Sequence, residues 1–445
     1  MKIEVLSYRV RKIKKNDIRL SIELCIDMLT TGSMRTAAIV QLHPISYFHG
    51  KVPEEIFGLL FLSAIVYTID RSVDRANYSV DGWSREFDVD IRIPEYSKFV
   101  LVRNEINDML SFLTGDYWNC NFIGDATIKY PKYKVHTDYD NISQVRLFSG
   151  GLDSLIGAID YLASNPKGYL YLSSHYDSYM RGPKSDQDGV RKALISKYGK
   201  RIKYREAVMI SPELSKETSC RSRSLMFVTL ASIVASYAKC DVVIPENGSV
   251  SLNYPLSPSR RAACSTRTTH PVFLQNYQYI LNKLNIGISI SNPYEFSTKG
   301  EMIQNCKDKD TLMQILPLSN SCGKRNMHQH MFDNSSATHC AHCMPCMYRK
   351  ASLVGEPDKT TYGNKLETIF MKRDGDVSND FFAMLDFLKN DLSDNDIKKE
   401  LYIAGMSRFD NIDEYVDLVK RTRAELSKML KAENSLLINK YMGWV

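Results

Sequence analysis

The segment Ser149-Gly150-Gly151-Leu152-Asp153-Ser154 carries the residue types of an anion-binding turn. It follows the apolar run Val145–Phe148 and leads directly into an amphipathic helical pattern. The two glycines allow a sharp turn and a close approach of the backbone to a ligand. Amide groups of the turn would then point at one spot, where the helix dipole also favours an anion. Ser149 and Ser154 add hydroxyl donors, and Asp153 fits such a site if it holds Mg²⁺ on a bound pyrophosphate.

A plain strand–turn–helix with a serine or aspartate N-cap would also explain Ser-Gly-Gly. The full Ser-Gly-Gly-Leu-Asp-Ser string after a buried strand is more specific and favours a nucleotide. The chain contains no G-x-x-x-x-G-K-[ST] phosphate loop, and the segment is not a G-x-G-x-x-G dinucleotide fingerprint.

A second candidate site is the cysteine-rich segment from 340 to 346, which reads CAHCMPC. Cys340, Cys343 and Cys346 have C-x₂-C-x₂-C spacing, and Cys322 offers a fourth thiol upstream. Four thiolates so placed can complete a tetrahedral Zn²⁺ site. A Cys₃His site stays open as an alternative, because four histidines lie nearby: His328, His330, His339 and His342. The same thiols could instead hold a [4Fe–4S] cluster, or form a zinc knuckle that reads RNA.

The string SGGLDS resembles the PP-loop signature of the ATP pyrophosphatases. This superfamily includes the asparagine, GMP and NAD synthetases and adenylating enzymes that modify tRNA. Its members bind the β and γ phosphates of ATP in the loop and release pyrophosphate, which leaves AMP on an oxygen of the substrate. The resemblance implies ATP and Mg²⁺ as cofactors, and it implies the six loop residues as the pyrophosphate-binding set: Ser149, Gly150, Gly151, Leu152, Asp153 and Ser154.

The cysteine segment narrows this resemblance. CAHCMPCMYRKASL, with Arg349 three residues after Cys346, is similar to the zinc segment of QueC, the 7-cyano-7-deazaguanine synthases. QueC adenylates the carboxylate of 7-carboxy-7-deazaguanine, lets ammonia displace AMP to give an amide, and then activates that amide and dehydrates it to a nitrile. The match covers about 143–355. QueC proteins lack the first 140 residues and the C-terminal tail, and their gap between the first two cysteines is shorter.

The long form of the chain resembles the QueC-like subunits of anti-phage defence operons, above all QatC of the Qat system, and the QueC-like protein of some CBASS operons. Three stretches carry this resemblance: Arg221–Phe227, Pro245–Gly248 and Ser265–Pro271. It implies ATP and a deazapurine-like carboxylate as ligands and other proteins of the operon as partners. It leaves oligomerisation open, and nucleic-acid contact is not indicated.

Five further polar residues are candidates for the same site. Arg223 opens the helix after the third predicted strand, and the resemblance implies phosphate or substrate binding there. Glu246 and Asn247 follow the fourth strand, where Glu246 could accept from a purine-like ring edge, although a simple turn also explains them. Arg267 precedes a helix start, which capping by its neighbours explains as well. Lys299 matches a lysine position of the QueC pattern. The predicted catalytic set is Asp153, Ser154, Arg223 and Lys299.

Two forms of the reaction are open, and two rival functions remain. The adenylate could be trapped by ammonia or by a protein amine, and the extra 140 N-terminal residues motivate the second form. The first rival is a tRNA-modifying PP-loop enzyme whose thiols relay sulfur or hold a cluster. The second rival is a nucleotide-binding scaffold without catalysis.

The elements that must position these residues predict an α/β fold. Five apolar runs alternate with helical patterns over 143–300, which is typical of a doubly wound, mostly parallel sheet with ligands at its carboxyl edge. The predicted strands are Val145–Phe148, Tyr169–Ser173, Ala207–Ile210, Asp241–Pro245 and Ile286–Ile290. The predicted helices lie at about 155–164, 186–198, 222–239 and 271–284.

The flanking regions give a weaker pattern. Residues 1–140 predict an α+β domain with strand runs at Phe87–Ile93 and Phe99–Val102 and a buried helix at Phe57–Ile69. The central domain, 143–355, includes the zinc knot at 320–350. Residues 360–445 predict a charged helical tail, with helices at Asp380–Leu392 and Glu414–Leu430.

The bulk properties fit a cytoplasmic enzyme. The chain has 445 residues, which favours two or three domains. Its net charge of +7 suits small anionic ligands and is no nucleic-acid footprint by itself. The N-terminus lacks the apolar region of a secretory signal, and the run from 57 to 69 is too short to span a bilayer. In a cytosolic chain the ten cysteines would not form disulfides.

Overall fold

A computed structural model describes residues 1–14, 17–28, 32–48, 52–94, 96–125, 139–180, 182–257, 267–325, 327–373 and 375–445. The strands are β1 (Lys2–Lys14), β2 (Asp17–Met28), β3 (Gly32–Gln41), β4 (Glu86–Ile93), β5 (Tyr117–Gly124), β6 (Gln144–Leu147), β7 (Leu170–Ser173), β8 (His175–Asp177), β9 (Ile202–Tyr204), β10 (Val208–Pro212), β11 (Val242–Val243) and β12 (Ile290–Ser291).

The helices of the first two thirds of the chain are α1 (His43–Ser46), α2 (Glu55–Ser72), α3 (Arg75–Tyr78), α4 (Tyr96–Leu101), α5 (Arg103–Thr114), α6 (Leu152–Ser164), α7 (Pro183–Tyr198), α8 (Arg223–Ala238), α9 (Gly248–Leu252) and α10 (Pro271–Lys283). The remaining helices are α11 (Lys299–Gln304), α12 (Lys309–Ile315), α13 (Met344–Ser352), α14 (Leu366–Lys372), α15 (Gly375–Lys389), α16 (Asp394–Ile403), α17 (Ile412–Glu433) and α18 (Leu436–Met442).

The central sheet has five strands in the order β12-β11-β6-β7-β9, and its strand pairs are all parallel. This confirms the predicted parallel α/β arrangement and the strands expected at Val145–Phe148, Tyr169–Ser173 and Asp241–Pro245. The strand expected at Ile286–Ile290 corresponds to β12, which begins only at Ile290. The turn Ser149–Gly151 leaves the carboxyl end of β6 in the middle of this sheet, next to β11 and β7. Ligand sites of open parallel sheets lie at such ends.

The third predicted strand belongs to the other sheet. Ala207–Ile210 corresponds to β10, which pairs antiparallel with β3 and parallel with β8 in the other sheet. The place it was expected to fill is taken by β9, which pairs with β7. Periodicity could not reveal β9, because it has three residues with a lysine in the middle.

The other sheet has seven strands in the order β5-β4-β1-β2-β3-β10-β8. Its β1-β2, β2-β3 and β3-β10 pairs are antiparallel, and its β1-β4, β4-β5 and β8-β10 pairs are parallel. The sheet therefore takes strands from both sides of the boundary predicted near residue 140. One apolar core runs through this sheet, α2 and α8.

Helix α2 is buried along its whole length, which confirms the buried helix predicted at Phe57–Ile69. A helix that is apolar on all sides must be covered on all sides, and here α8 is among the elements that cover it. Asp70 and Arg71, at the end of α2, are buried as well. Among the described residues no helix combines the length and the apolar character that a membrane span requires.

The strand predicted at Phe99–Val102 is wrong, because Phe99 lies within α4 and Val102 directly precedes α5. The apolar residues continue at helical spacing through α5, where Ile106, Met109, Leu110 and Leu113 are all buried. This longer pattern predicts a helix, and the four apolar residues at 99–102 were too short a segment to distinguish a strand from it. The strand predicted at Phe87–Ile93 is confirmed as β4.

The C-terminal region is helical, as predicted, and has its own apolar core. The helices expected at Asp380–Leu392 and Glu414–Leu430 correspond to α15 and α17. Helix α17 packs against α13 and α9. Its Glu425 accepts hydrogen bonds from Thr298 Oγ1 and from the amide of Gly300, so this tail supports the turn that begins α11.

Candidate functional site

The turn between β6 and α6 has the conformation that its glycines allow. Gly150 has a φ of +81°, in the left-handed region that favours glycine. A Cβ atom at this position would lie 2.8 Å from the backbone nitrogen of Gln187 in α7. The Gly150 carbonyl accepts a hydrogen bond from the amide of Asn320 at 3.0 Å. The turn is therefore clamped between α7 and the segment that leads to Cys322.

The N-terminus of α6 presents backbone amides without a side-chain cap. The N-cap residue is Gly151, and the first helical bond runs from Leu155 N to Gly151 O, 3.1 Å apart. The amides of Asp153 and Ser154 thus lie outside the ladder of the helix. Ser154 Oγ donates back to Gly151 O at 2.9 Å and lies 3.4 Å from Ser149 Oγ. The geometry is that of an anion site, and serine or aspartate does not act as the N-cap here.

Asp153 forms the centre of a polar cluster beneath the turn. Lys299 Nζ, at the start of α11, lies 2.5 Å from Asp153 Oδ1, and Asn247 Nδ2 donates to Asp153 Oδ2 at 2.7 Å. Burial alone would raise the pKa of Asp153, but Lys299, Glu246 and Asn247 together hold it below its usual value. Burial and the neighbouring Asp153 raise the pKa of Glu246 well above its usual value. Of the two carboxyl groups, Glu246 therefore keeps its proton to the higher pH.

A cavity of about 710 Å³ opens over this turn. Its size is within the range of small-molecule sites. Of the residues predicted from the sequence, it is lined by Ser149, Gly151, Leu152, Asp153, Ser154, Arg223, Glu246, Lys299 and Cys322. The structure thus brings the predicted phosphate turn, three of the supporting residues and one cysteine to a single cavity.

Arg223 is the first residue of α8 and faces this cavity. Its Nη1 lies 3.8 Å from the sulfur of Met180, and its buried Nε has no hydrogen-bond partner among the described residues. In the described part of the chain it forms no ion pair with a carboxylate. A guanidinium so placed can bind an anionic group of a ligand.

Apart from the other three cysteines, three of the predicted site residues do not line the cavity. Gly150 lies beneath the turn against α7, and Asn247 is buried behind Asp153, so both act through their neighbours. Arg267 lies elsewhere: it donates to the carbonyl of Phe112 at 2.9 Å and lines a separate pocket of about 40 Å³. Ser265 and Thr266, which belong to the same stretch, lie outside the described residues.

Several cavity residues were not singled out from the sequence. Ser321 Oγ lies 3.4 Å from the amide of Leu152, at the start of α6. Arg325 and Asp186 form an ion pair at the cavity wall. Arg71 reaches the cavity from the end of α2. Proximity of Ser321 to Cys322 was an available signal for Ser321; for Arg71 and Arg325 the sequence offers no pattern.

The four cysteines predicted as metal ligands form one cluster. Their sulfur atoms all lie within 4.8 Å of one another, with 4.0 Å between Cys322 and Cys343 and 3.9 Å between Cys340 and Cys346. A tetrahedron with bonds of about 2.3 Å has edges of about 3.8 Å, so the set fits Zn²⁺. Backbone amides of Cys340 and Cys343 point at the sulfurs of Cys322 and Cys340.

The neighbouring histidines are not part of this cluster. Among the described residues the four cysteines are the one group of three or more His, Cys, Asp or Glu side chains placed to hold a metal ion. Burial lowers the pKa of His339 to about 3, so its ring is neutral, and its Nε2 accepts a hydrogen bond from the amide of Ser321 at 3.3 Å. Its Nδ1 lies 3.0 Å from Thr338 Oγ1, so both ring nitrogens are engaged. The geometry favours the all-cysteine set over the Cys₃His alternative.

The cysteine cluster and the phosphate turn are joined by a short segment. Asn320 and Ser321, which contact Gly150 and Leu152, directly precede Cys322. Arg349, fully buried in α13, donates to Ser319 Oγ at 3.0 Å and to the carbonyl of Leu316 at 3.1 Å. Metal binding by the cysteines would therefore fix one side of the anion site.

Together these residues can bind an anion at the start of α6 and neutralise its charge with Lys299 and Arg223. Asp153 and Glu246 provide carboxylate oxygens of the kind that bind Mg²⁺ together with phosphates. The set lacks an evident nucleophile–base pair, so positioning and charge neutralisation are the chemistry that it suits. Comparisons of the chain with protein-family models, with curated proteins and with solved structures find no match.

Proposed function

We propose that the chain is a QueC-like ATP-dependent adenylating enzyme that activates a carboxylate and releases pyrophosphate. The observation that carries the proposal is the shared cavity: the uncapped start of α6, Lys299 and Arg223 all face it. A nucleoside triphosphate needs backbone amide donors and cationic side chains close to its phosphates. The SGGLDS string supplies the resemblance to PP-loop enzymes, and the parallel sheet is compatible with that fold.

The phosphate turn binds the β and γ phosphates in this proposal. Amides of Asp153 and Ser154 and the hydroxyl of Ser149 donate to the phosphate oxygens. Gly151 allows the close approach, since a side chain there would project towards Ser149 Oγ and the Asn320 carbonyl. Lys299 lies within the same cavity, where its ammonium group can neutralise charge on the departing diphosphate.

Asp153 and Glu246 would hold Mg²⁺ at this site, with phosphate oxygens completing the coordination. When bound, Mg²⁺ offsets the negative charge that develops on the diphosphate. Glu246 must give up its proton to act as a ligand, because burial and Asp153 raise its pKa. Metal binding should therefore release a proton and strengthen with rising pH.

The activated acid is a deazapurine-like carboxylate in this proposal, since the QueC resemblance extends to the cysteine cluster. Arg223 binds the acid and orients its oxygen for attack on the α phosphorus of ATP. The acceptor that displaces AMP is either ammonia or an amine of a partner protein. A setting in anti-phage defence follows from the same resemblance and is part of the proposal.

The test measures ATP–pyrophosphate exchange with 7-carboxy-7-deazaguanine and, as a control that lacks the carboxylate, with 7-deazaguanine. Exchange with the acid alone supports adenylation, and Lys299→Met should abolish it. Nucleotide binding without exchange for any deazapurine acid would favour the scaffold. Intact mass of partner proteins after incubation separates the acceptors: a mass increase indicates a protein amine, and release of the free amide indicates ammonia.

The rival tRNA-modifying function makes a different prediction about the thiols. A sulfur relay needs an accessible, reactive cysteine. Cys340, Cys343 and Cys346 are buried, and Cys322 lies with them in the cluster. This arrangement favours a structural metal. A visible absorbance band would instead indicate an iron–sulfur cluster and count for the rival.

A further inference from the structure

One part of the cavity wall comes from segments outside the phosphate turn. It is formed by Tyr179 and Met180 after β8, by Thr218 before α8, by Arg223 and by Arg71 from α2. Asp177 ties these segments together: its Oδ1 accepts from the amide of Tyr179 at 2.8 Å, and its Oδ2 lies 3.4 Å from Arg71 Nε. We call this group of five residues the far wall.

The end of α2 fixes the start of α8. Asp70 Oδ2 accepts hydrogen bonds from the backbone amide of Ser222 at 3.1 Å and from Ser222 Oγ at 2.7 Å. Asp70 and Ser222 are both fully buried, and Arg85 holds Asp70 from the other side at 2.7 Å. Burial alone would raise the pKa of Asp70, but Arg85 and Ser222 hold it below its usual value. A buried carboxylate thus anchors the residue that directly precedes Arg223.

Arg71 fixes the neighbouring segment of the far wall. Its guanidinium donates to the carbonyl of Glu217 and to Ser215 Oγ, and its own carbonyl accepts from the amides of Lys216 and Glu217 at 2.9 and 3.1 Å. Its bonds therefore go to the protein, which suits a positioning role. Thr218 follows this segment directly.

Arg223 is the residue of the far wall whose charge is left for a ligand. In contrast to Arg71, it pairs with no carboxylate in the described part of the chain, and its buried Nε has no partner there. Met180 lies beside it, with its sulfur 3.8 Å from Arg223 Nη1, and Tyr179 lines the same cavity. An anionic group on a flat, partly apolar body would satisfy both the charge and the surface.

We propose that the far wall is a second ligand subsite, which binds the acidic group of the molecule to be adenylated through Arg223. Asp70 and Arg71, both from the N-terminal segment, are positioning residues that act through Ser222 and through the 215–217 segment. The inference rests on the proposed function, and it gives that segment a direct part in substrate recognition.

Ser222→Ala is the sharpest probe, since it removes one bond to Asp70 and leaves the Asp70–Arg85 pair in place. Ser232→Ala is the matched control: Ser232 is also fully buried in α8, but its Oγ donates to the carbonyl of Val228 at 2.8 Å, away from Asp70. The first readout is the rate at which phenylglyoxal labels Arg223, located by peptide mass spectrometry, with Arg267 as internal reference.

We expect phenylglyoxal to label Arg223 about 5-fold faster in the Ser222→Ala variant than in the wild type. Loss of one hydrogen bond of about 1 kcal/mol corresponds to a change of this size. Ser232→Ala should leave the rate unchanged. In the wild type, 7-carboxy-7-deazaguanine should protect Arg223, and 7-deazaguanine, which lacks the carboxylate, should not. Equal labelling in both variants, or equal protection by 7-deazaguanine and the acid, would overturn the inference.

The second readout separates positioning from stability. In the exchange assay, Ser222→Ala should raise the KM for the acid about 5-fold and leave the KM for ATP unchanged. If no acid supports exchange, the proposed function fails, while the labelling rates still decide whether Ser222 positions Arg223. If exchange occurs and both variants keep the wild-type KM for the acid, the inference fails and the function stands.

Discussion

Gly150 and Gly151 lie in the turn that is proposed to bind phosphate. Alanine at these two positions should affect the stability of the fold and the binding of nucleotide differently. Gly150 and Gly151 are adjacent and chemically identical, yet the structure gives them different constraints. Gly150 has a φ of +81° and packs against the backbone of α7, whereas Gly151 has a φ of −82°. Replacing each by alanine adds the same methyl group in two different environments.

Gly150→Ala should destabilise the fold. Left-handed backbone costs an alanine about 1–2 kcal/mol, and a Cβ at 2.8 Å from the Gln187 nitrogen forces α7 or the turn to shift. Such overpacking costs about 1–3 kcal/mol, so the sum is about 2–5 kcal/mol. Gly151→Ala adds a Cβ at 3.3 Å from Ser149 Oγ, a tight contact with a side chain that can adjust. Its stability cost should stay below about 1 kcal/mol.

For nucleotide affinity the order should be reversed, and Gly151→Ala should have the larger effect. The added methyl at Gly151 stands where the phosphates approach the amides of α6. Loss of hydrogen bonds to a charged group costs about 1.5–3 kcal/mol, which is about 10- to 100-fold in Kd. The assays are urea unfolding and calorimetric titration with a nonhydrolysable ATP analogue. A Gly150→Ala protein as stable as the wild type would refute the turn geometry, and a Gly151→Ala protein with unchanged analogue affinity would refute the phosphate site.

Three further predictions concern the polar cluster and the metal. Lys299→Met should destabilise the protein by about 3–5 kcal/mol, because Asp153, its buried carboxylate partner, loses its counter-charge. Lys309→Met breaks a partly exposed ion pair with Glu356 and should cost less than about 1 kcal/mol. Urea unfolding measures both free energies. Because burial and Asp153 raise the pKa of Glu246 above its unfolded value, the stability of the wild type should fall as the pH rises above about 4.5, so Glu246→Gln should gain stability relative to the wild type in that direction. Cys343→Ser should lose the bound zinc and lower both the melting temperature and analogue affinity, whereas Cys25→Ser should leave the zinc content unchanged in metal analysis.

The sequence predicted the parts of the site that local chemistry specifies. The string Ser149–Ser154 combines a strand end, two glycines and a helix start, and each of these follows from short-range rules. The spacing of Cys340, Cys343 and Cys346 follows from the reach of a single turn around one ion. The strands around them were found because buried parallel strands are continuous apolar runs.

The parts that were missed depend on contacts distant in the chain. Val208–Pro212 carries the same apolar pattern as the central strands, and nothing in that pattern records that its partner is β3 rather than β7. Arg71 lies more than a hundred residues before Glu217, whose carbonyl it binds. Arg267 was expected in the site because of its neighbours in sequence, but the fold directs it to Phe112. The separation of two residues in the sequence does not show whether they are in contact in the fold.

The cysteine cluster and the two flanking regions act on the anion site through a few short segments. The cluster holds Asn320 and Ser321 against the turn, α17 holds Thr298 and Gly300 beside Lys299, and α2 holds Ser222 beside Arg223. Each of these contacts fixes a residue one or two positions from a cavity side chain. In the proposed function, catalysis by positioning and charge would need these cations held rigidly, because their field is effective only where the charge develops. The additional regions would then serve as the rigid support of the site.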